Sequence, residues 1–132
     1  MKQIYLVHDQ DESPWVRRHF LERAGYEVLT IASSEGLLER LRDAPPDLLV
    51  IDVLVEGLNG FELCRSVRER FTPDELPIVL GSAVYTALVF REEAERAGAQ
   101  EYLTAPRDLD TLLAAVNGLL EARPSQRAPS AA

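Results

Sequence analysis

Residues 48–60 read LLVIDVLVEGLNG, in which four consecutive aliphatic residues lead into Asp52 and a loop with two glycines. A continuous apolar run of this length is typical of a β-strand that is covered on both faces of its sheet. A carboxylate at the end of such a strand is costly to bury, so we expect Asp52 to lie at the rim of the sheet, where water or a cation reaches it. The segment therefore indicates both a parallel sheet and a site at its edge.

The rest of the chain repeats this pattern of a strand followed by a helix. Short apolar runs predict four further strands, and these are residues 4–7, 27–31, 78–80 and 101–104. In the first predicted helix, Ser13 and Pro14 are typical of an N-terminus, and the apolar residues that follow at helical spacing are Val16, Phe20 and Ala24. Five β/α units with right-handed crossovers predict an α/β fold, a doubly wound five-stranded parallel sheet in the order 2-1-3-4-5 flanked by five helices.

Capping signals mark the ends of the predicted helices. Ser33 and Asp108 are residue types that commonly precede a helix, and Gly25 and Gly98 stand where a helix ends in a left-handed residue. The proline pair that begins at Pro45 ends the second predicted helix.

Length, composition and charge limit the classes of function. The 132 residues are enough for one domain, which we expect to span residues 1–122, with residues 123–132 as a flexible tail or linker. The net charge of -8 argues against direct binding of this domain to nucleic acid or to an anionic membrane. A single cysteine, Cys64, cannot form an internal disulfide, and no segment has the roughly 20 apolar residues of a membrane helix. We therefore expect a cytoplasmic protein.

Polar residues gather at the carboxyl ends of the predicted strands, where open α/β sheets place their function. Four segments carry these residues, and they read LVHDQDES, LLVIDVLVEGLNGFEL, LPIVLGSA and AGAQEYLTAP. Together these segments resemble the receiver domains of two-component response regulators, over roughly residues 1–121. The resemblance implies a flavodoxin-like fold of the receiver type.

The resemblance also implies a role for individual residues. By position, Asp52 would be the phosphoacceptor, and Asp9 and the carbonyl of Leu54 would be Mg²⁺ ligands. Ser82 would hydrogen-bond a phosphoryl oxygen, and Tyr102 would be the rotating switch aromatic. Such a set suits attack of a carboxylate on phosphorus, because the charge that develops on the phosphoryl oxygens must be neutralised.

Three positions depart from the family pattern. His8 stands where the family has the first residue of its acidic pair, and it would be a poor Mg²⁺ ligand, because Mg²⁺ prefers oxygen. Ala105 stands where the family has a lysine, and the chain has no lysine other than Lys2. Glu56 occupies a loop position where the family often has proline. Arg107 is the nearest cation to Ala105 in the sequence.

These observations favour an atypical receiver domain, or pseudo-receiver, in phosphorelay-type signal transduction. It would act mainly as a signalling and protein-interaction module, with weak or absent phosphorylation at Asp52, weak Mg²⁺ binding, and no enzyme activity beyond self-phosphorylation at an aspartate. Its partners would be a histidine kinase or another signalling protein, and a C-terminal output domain. One alternative is a functional phosphoacceptor with a reconfigured site. Another is a small metal-binding α/β domain, in which His8, Asp9 and Asp52 would suit Zn²⁺ or Mn²⁺.

Overall fold

A computed structural model describes residues 1–122, and the predicted tail, residues 123–132, lies outside the described residues. Within residues 1–122, strands and helices alternate as β1 (Gln3–Val7), α1 (Trp15–Arg23), β2 (Glu27–Ile31), α2 (Ser34–Asp43), β3 (Leu48–Asp52), α3 (Gly60–Arg68), β4 (Ile78–Gly81), α4 (Leu88–Ala97), β5 (Glu101–Leu103) and α5 (Leu109–Ala122). Over the same residues, no helix combines the length and the apolar character that crossing a membrane needs.

The sheet has the predicted topology. All four strand pairs are parallel, and the order is β2-β1-β3-β4-β5. Alternate residues of each strand feed two separate cores, one on each face of the sheet. Helices α2, α3 and α4 cover one face, and α1 and α5 cover the other. The central strand, β3, is buried along its whole length, so its last residue is buried as well.

Helix α1 presents a different face to the core from the one that its apolar spacing predicts. Val16 is 56% exposed and Ala24 is also exposed, and Phe20 is only partly buried. The residues that α1 buries are Arg17 and Leu21. The predicted apolar face is therefore wrong, because the buried positions lie one residue later in the sequence than the predicted ones. The physical reason is that one of the two inward positions carries a charge, which helical periodicity of apolar residues cannot detect.

Most of the predicted helix ends are confirmed, with small shifts in the boundaries. Gly25 and Gly98 have φ of 103° and 104°, and Ser33 caps α2 by accepting a hydrogen bond from an amide of the first turn. Helix α4 begins two residues before the predicted residue 90, and β5 ends one residue before the predicted residue 104. In α1 the N-cap position is Pro14, and Ser13 accepts only a long hydrogen bond of 3.3 Å.

The loop between β3 and α3 is fixed at both of its ends. The Ser34 amide donates to the Glu56 carbonyl at 2.9 Å, and the Ser34 hydroxyl accepts from the Leu58 amide at 2.8 Å. At the other end, a Cβ on Gly60 would lie 2.7 Å from the Cα of Val53, so only glycine fits this close approach. The Glu56 side chain is exposed, and its backbone carbonyl is the group that positions the loop.

The close approach at Gly60 gives a test of this loop. Gly60→Ala is expected to cost about 1–3 kcal/mol of unfolding free energy, because the backbone of β3 or α3 must shift to admit the methyl group. Gly118→Ala, in α5, is the matched control, since a Cβ there meets nothing within 4 Å, and it should gain about 0.5–1 kcal/mol. Urea unfolding measures both values. Equal stability of the two variants would contradict the packing described for Gly60.

The cysteine of α3 gives a second test, of the core itself. Cys64 is fully buried, its thiol donates to the Ala97 carbonyl at 3.2 Å, and burial raises its pKa to about 11. At pH 8 its thiolate fraction is therefore about 100-fold lower than that of a thiol with a pKa of 9.0. Alkylation by iodoacetamide, followed by mass spectrometry, should be slow in the native protein and fast in urea. Equal rates in the two conditions would show that the thiol is not held in the core.

Candidate functional site

Asp52 is the last residue of β3, and it is buried. Its exposed fraction is 8%, so it is less accessible to water than we expected, although it lies at the strand end and lines a small cavity. Its carboxylate forms a two-pronged ion pair with Arg17, in which Nη1 donates to Oδ1 at 3.0 Å and Nη2 donates to Oδ2 at 2.9 Å. Arg17 is itself only 5% exposed. The cost of burying the carboxylate is therefore offset by a guanidinium group that is buried with it.

Arg17 reaches Asp52 because of its position on α1. It is the third residue of that helix, close to the edge of the sheet where β1 ends, and Leu21 one turn later is fully buried. Leu21 holds this side of α1 against the sheet, and the planar guanidinium matches a carboxylate in geometry. The sequence prediction missed Arg17 and named Arg107 as the nearest cation. The signal in the sequence was the spacing of Arg17 and Leu21, which lie four residues apart and so on one face of the helix that follows the first strand.

Both oxygens of the Asp52 carboxylate accept hydrogen bonds from the protein. In addition to the two bonds from Arg17, Oδ2 accepts a hydrogen bond from the Asp9 amide at 3.2 Å. Across the described residues, every buried side-chain nitrogen or oxygen has a hydrogen-bond partner. Buried ion pairs are stable only when their remaining polar atoms are satisfied in this way. The pair is thus a completed structural unit of the site.

The other residues of the predicted metal site are engaged within the protein. The His8 ring is buried, and its Nδ1 lies 3.0 Å from the Asp9 carbonyl, which can only accept, so Nδ1 carries the proton. Oδ1 of Asp9 accepts from the Asp11 amide at 2.9 Å. Within residues 1–122, no group of three His, Cys, Asp or Glu side chains is placed to hold a metal ion. The structure brings the Asp9 amide to Asp52, and the predicted Mg²⁺ ligand set of Asp9, Asp52 and the Leu54 carbonyl stays a prediction.

A second ion pair lies outside the first. Arg107 pairs with Glu12, and its side chain is 67% exposed, so it does not take the place of the family lysine. Ala105 is also exposed and has only a methyl group. Arg107 and Glu12, together with Arg17 and Asp52, line a cavity of about 60 Å³. Both pairs therefore border the same small space beside the carboxylate.

Ser82 and Tyr102 lie next to this cavity and within the core, respectively. Ser82 Oγ accepts hydrogen bonds from the amides of Val84 and Tyr85, both at 3.0 Å. The Tyr102 hydroxyl donates to the Tyr85 carbonyl at 2.5 Å, and its ring stacks on Phe61 with centroids 6.1 Å apart. Burial raises the pKa of the Tyr102 phenol, and a hydrogen bond with Ser82 opposes this. Tyr102 is therefore held inward, and its role as a rotating switch stays a prediction.

Comparison with known proteins decides the family. The sequence model of the response regulator receiver domain family matches residues 4–117, which is most of the chain. The chain belongs to the response regulator receiver domain family. Receiver domains typically bind Mg²⁺ at their phosphorylation site. Asp52, which we predict to be the phosphoacceptor, is paired with Arg17 in this structure.

The relatives of this receiver domain include both longer and similarly sized proteins. It is 34% identical over 125 residues to the phosphate regulon transcriptional regulatory protein PhoB of Rhizobium meliloti, a match that covers 91% of this chain and 52% of PhoB. It is 29% identical over 122 residues to protein PilH of Pseudomonas aeruginosa, covering 91% of this chain and 98% of PilH. The chain thus spans about half the length of the transcriptional regulators that it matches.

Solved structures agree with the fold. The crystal structure of the chemotaxis response regulator CheY4 of Vibrio cholerae superimposes with a TM-score of 0.78 at 29% identity, covering 91% of this chain and 99% of that one. The strand order and the placement of helices on both faces of the sheet are therefore those of the family.

The energetic weight of the Arg17–Asp52 pair can be measured. Arg17→Met is expected to cost about 3–5 kcal/mol of unfolding free energy, because it leaves the Asp52 carboxylate buried without a counter-charge. Combining Arg17→Met with Asp52→Asn should recover much of that loss, since neither buried charge then remains. Urea unfolding of the two single variants and the double variant gives the coupling free energy.

Arg18→Met is the matched control on the next residue of the same helix. Arg18 pairs with Glu22 at 3.0 Å, and both side chains are largely exposed, so its loss should change stability by less than about 0.5 kcal/mol. If Arg17→Met were as mild as Arg18→Met, the pair with Asp52 would not stabilise the fold.

Proposed function

We propose that this receiver domain is a signalling and protein-interaction module in phosphorelay-type signal transduction, with weak or absent phosphorylation at Asp52. The observation that carries the proposal is the two-pronged ion pair, in which both oxygens of Asp52 accept from Arg17. Apart from transfer of a phosphoryl group to its own aspartate, the domain would have no enzyme activity.

The ion pair opposes phosphorylation for two reasons. A carboxylate attacks phosphorus through an oxygen lone pair, and here a buried guanidinium holds both oxygens. In addition, the charge that develops on the transferred group needs a cation of its own, and Ala105 supplies none. Arg17 is already committed to the nucleophile, so it cannot neutralise the phosphoryl oxygens without releasing Asp52.

The surface of the domain supports a role in protein interaction. Several large apolar side chains of residues 1–122 are exposed, and exposed apolar patches commonly mark binding surfaces. Trp15 and Val16 of α1 are 62% and 56% exposed, and near the start of α4 the residues Val84, Leu88 and Val89 are 65%, 66% and 56% exposed. We propose a histidine kinase or another signalling protein as the partner, and a C-terminal output domain in the same cytoplasmic pathway.

A functional phosphoacceptor with a reconfigured site is the second candidate. Asp9 and Ser82 line the same cavity as Asp52, and this proximity supports the second candidate. In that case Arg17 would transfer its hydrogen bonds from the carboxylate to the phosphoryl oxygens during the reaction. For the third candidate, a metal-binding domain, residues 1–122 contain no cluster of three suitable ligands. Any Mg²⁺ bound at Asp9, Asp52 and the Leu54 carbonyl would be held weakly.

Incubation with acetyl phosphate and Mg²⁺, read by intact mass, tests the proposal. The unmodified protein should gain little or no phosphoryl group. A variant that combines Arg17→Ala, Ala105→Lys and His8→Asp should be labelled faster by at least about 10²–10³, because it frees the nucleophile and returns the missing ammonium and carboxylate. Ala105→Lys alone should raise labelling little, since Arg17 still holds Asp52.

The controls separate the two candidates. Asp52→Asn in the triple variant should abolish labelling, which assigns the phosphoryl group to that residue. If the unmodified protein is labelled as readily as the triple variant, and Asp52→Asn removes the label, the domain is a functional phosphoacceptor and the first proposal is wrong.

A further inference from the structure

We propose that the Arg17 guanidinium takes the place of a divalent cation at Asp52. This receiver domain would then neutralise the Asp52 carboxylate without binding Mg²⁺. The inference deepens the proposed function, because it concerns the same carboxylate. It differs in what it predicts, since it concerns binding of a metal ion and needs no phosphodonor.

The first step of the argument is the donor set. A Mg²⁺ ion needs carboxylate oxygens with free lone pairs in a compact octahedral arrangement. Both oxygens of Asp52 accept from Arg17 at 2.9 and 3.0 Å, and Oδ2 also accepts from the Asp9 amide. Oδ1 of Asp9 is bonded to the Asp11 amide. Both oxygens of Asp52 and Oδ1 of Asp9, three of the oxygens that would bind the ion, therefore already accept hydrogen bonds from the chain.

The second step is charge. A guanidinium remains protonated at every physiological pH, so Arg17 is a permanent positive charge in contact with Asp52. A divalent cation that approached the same oxygens would be repelled by it at a distance of a few ångströms. His8, which stands at the position of a second carboxylate, adds no negative charge that could offset this repulsion.

The third step is anchoring. Arg17 is 5% exposed and is carried on a helix whose Leu21 is fully buried, so the guanidinium is part of the folded core. A free ion occupies its site only in proportion to its concentration, whereas this cation is present whenever the domain is folded. Removal of Arg17 should therefore leave a carboxylate pair, Asp52 and Asp9, that needs a cation and can take one from solution.

Thermal unfolding in millimolar MgCl₂ tests this gain of a site. The melting temperature of Arg17→Met should rise with MgCl₂, because an ion that binds only the folded state stabilises it. The unmodified protein and the Arg18→Met control should show no such rise. The double variant Arg17→Met with Asp52→Asn should also lose the response, which would assign the ion to Asp52. Absence of any rise in Arg17→Met would overturn the inference.

A measurement on the unmodified protein keeps the inference testable if Arg17→Met does not fold. Mn²⁺ broadens the NMR signals of nuclei close to its binding site, and it prefers the same oxygen ligands as Mg²⁺. Amide signals of Asp9, Asp52 and Leu54 should stay sharp when Mn²⁺ is added to the unmodified protein. Selective broadening of those three signals at low Mn²⁺ would overturn the inference.

The metal-binding and labelling experiments test the inference and the proposed function separately. If the unmodified protein binds Mg²⁺ but is not phosphorylated, the inference is wrong and the proposed function stands. If it takes up a phosphoryl group without binding Mg²⁺, the proposed function is wrong and the exchange of metal for guanidinium is supported.

Discussion

A buried carboxylate at the end of the central strand is the constraint on which the rest of the site depends. β3 is covered on both faces, so Asp52 cannot be solvated by water as a surface residue would be. Arg17 supplies the counter-charge from α1, and α1 must turn its charged side inward to do so. As a result, Trp15 and Val16 of the same helix face solvent. One ion pair thus determines the electrostatics of the site and the character of a neighbouring surface.

The departures from the family pattern form a consistent set. By the resemblance, Ala105 lacks the ammonium group and His8 lacks the carboxylate that we predict for this site. Arg17 supplies a positive charge to Asp52 from α1. Ser82 lines the same cavity as Asp52, and Tyr102 is buried in the core. The architecture is that of a receiver domain, and the charge of Asp52 is balanced within the protein.

The sequence predicted the fold well because its signals are local. Unbroken apolar runs, helix caps and glycines at helix ends are each legible within a few residues, and together they determine strand order through the crossover rule. Asp52, Ser82 and Asp9 were placed at the correct edge by the same reasoning. Arg17 was not found, because it lies 35 residues from its partner and because Val16, Phe20 and Ala24 offered a rival apolar face. An ion pair between residues far apart in the sequence produces no periodic pattern from which it could be predicted.

The Arg17–Asp52 pair also constrains how this domain can change over generations. Exchange of either residue alone leaves an unmatched charge in the interior, so each single step passes through a less stable protein. The two positions are therefore expected to be replaced together or not at all. A cation in the surroundings that could bind the exposed carboxylate would lower the cost of losing Arg17 first, so the order in which the two residues change would depend on the ions that surround the protein.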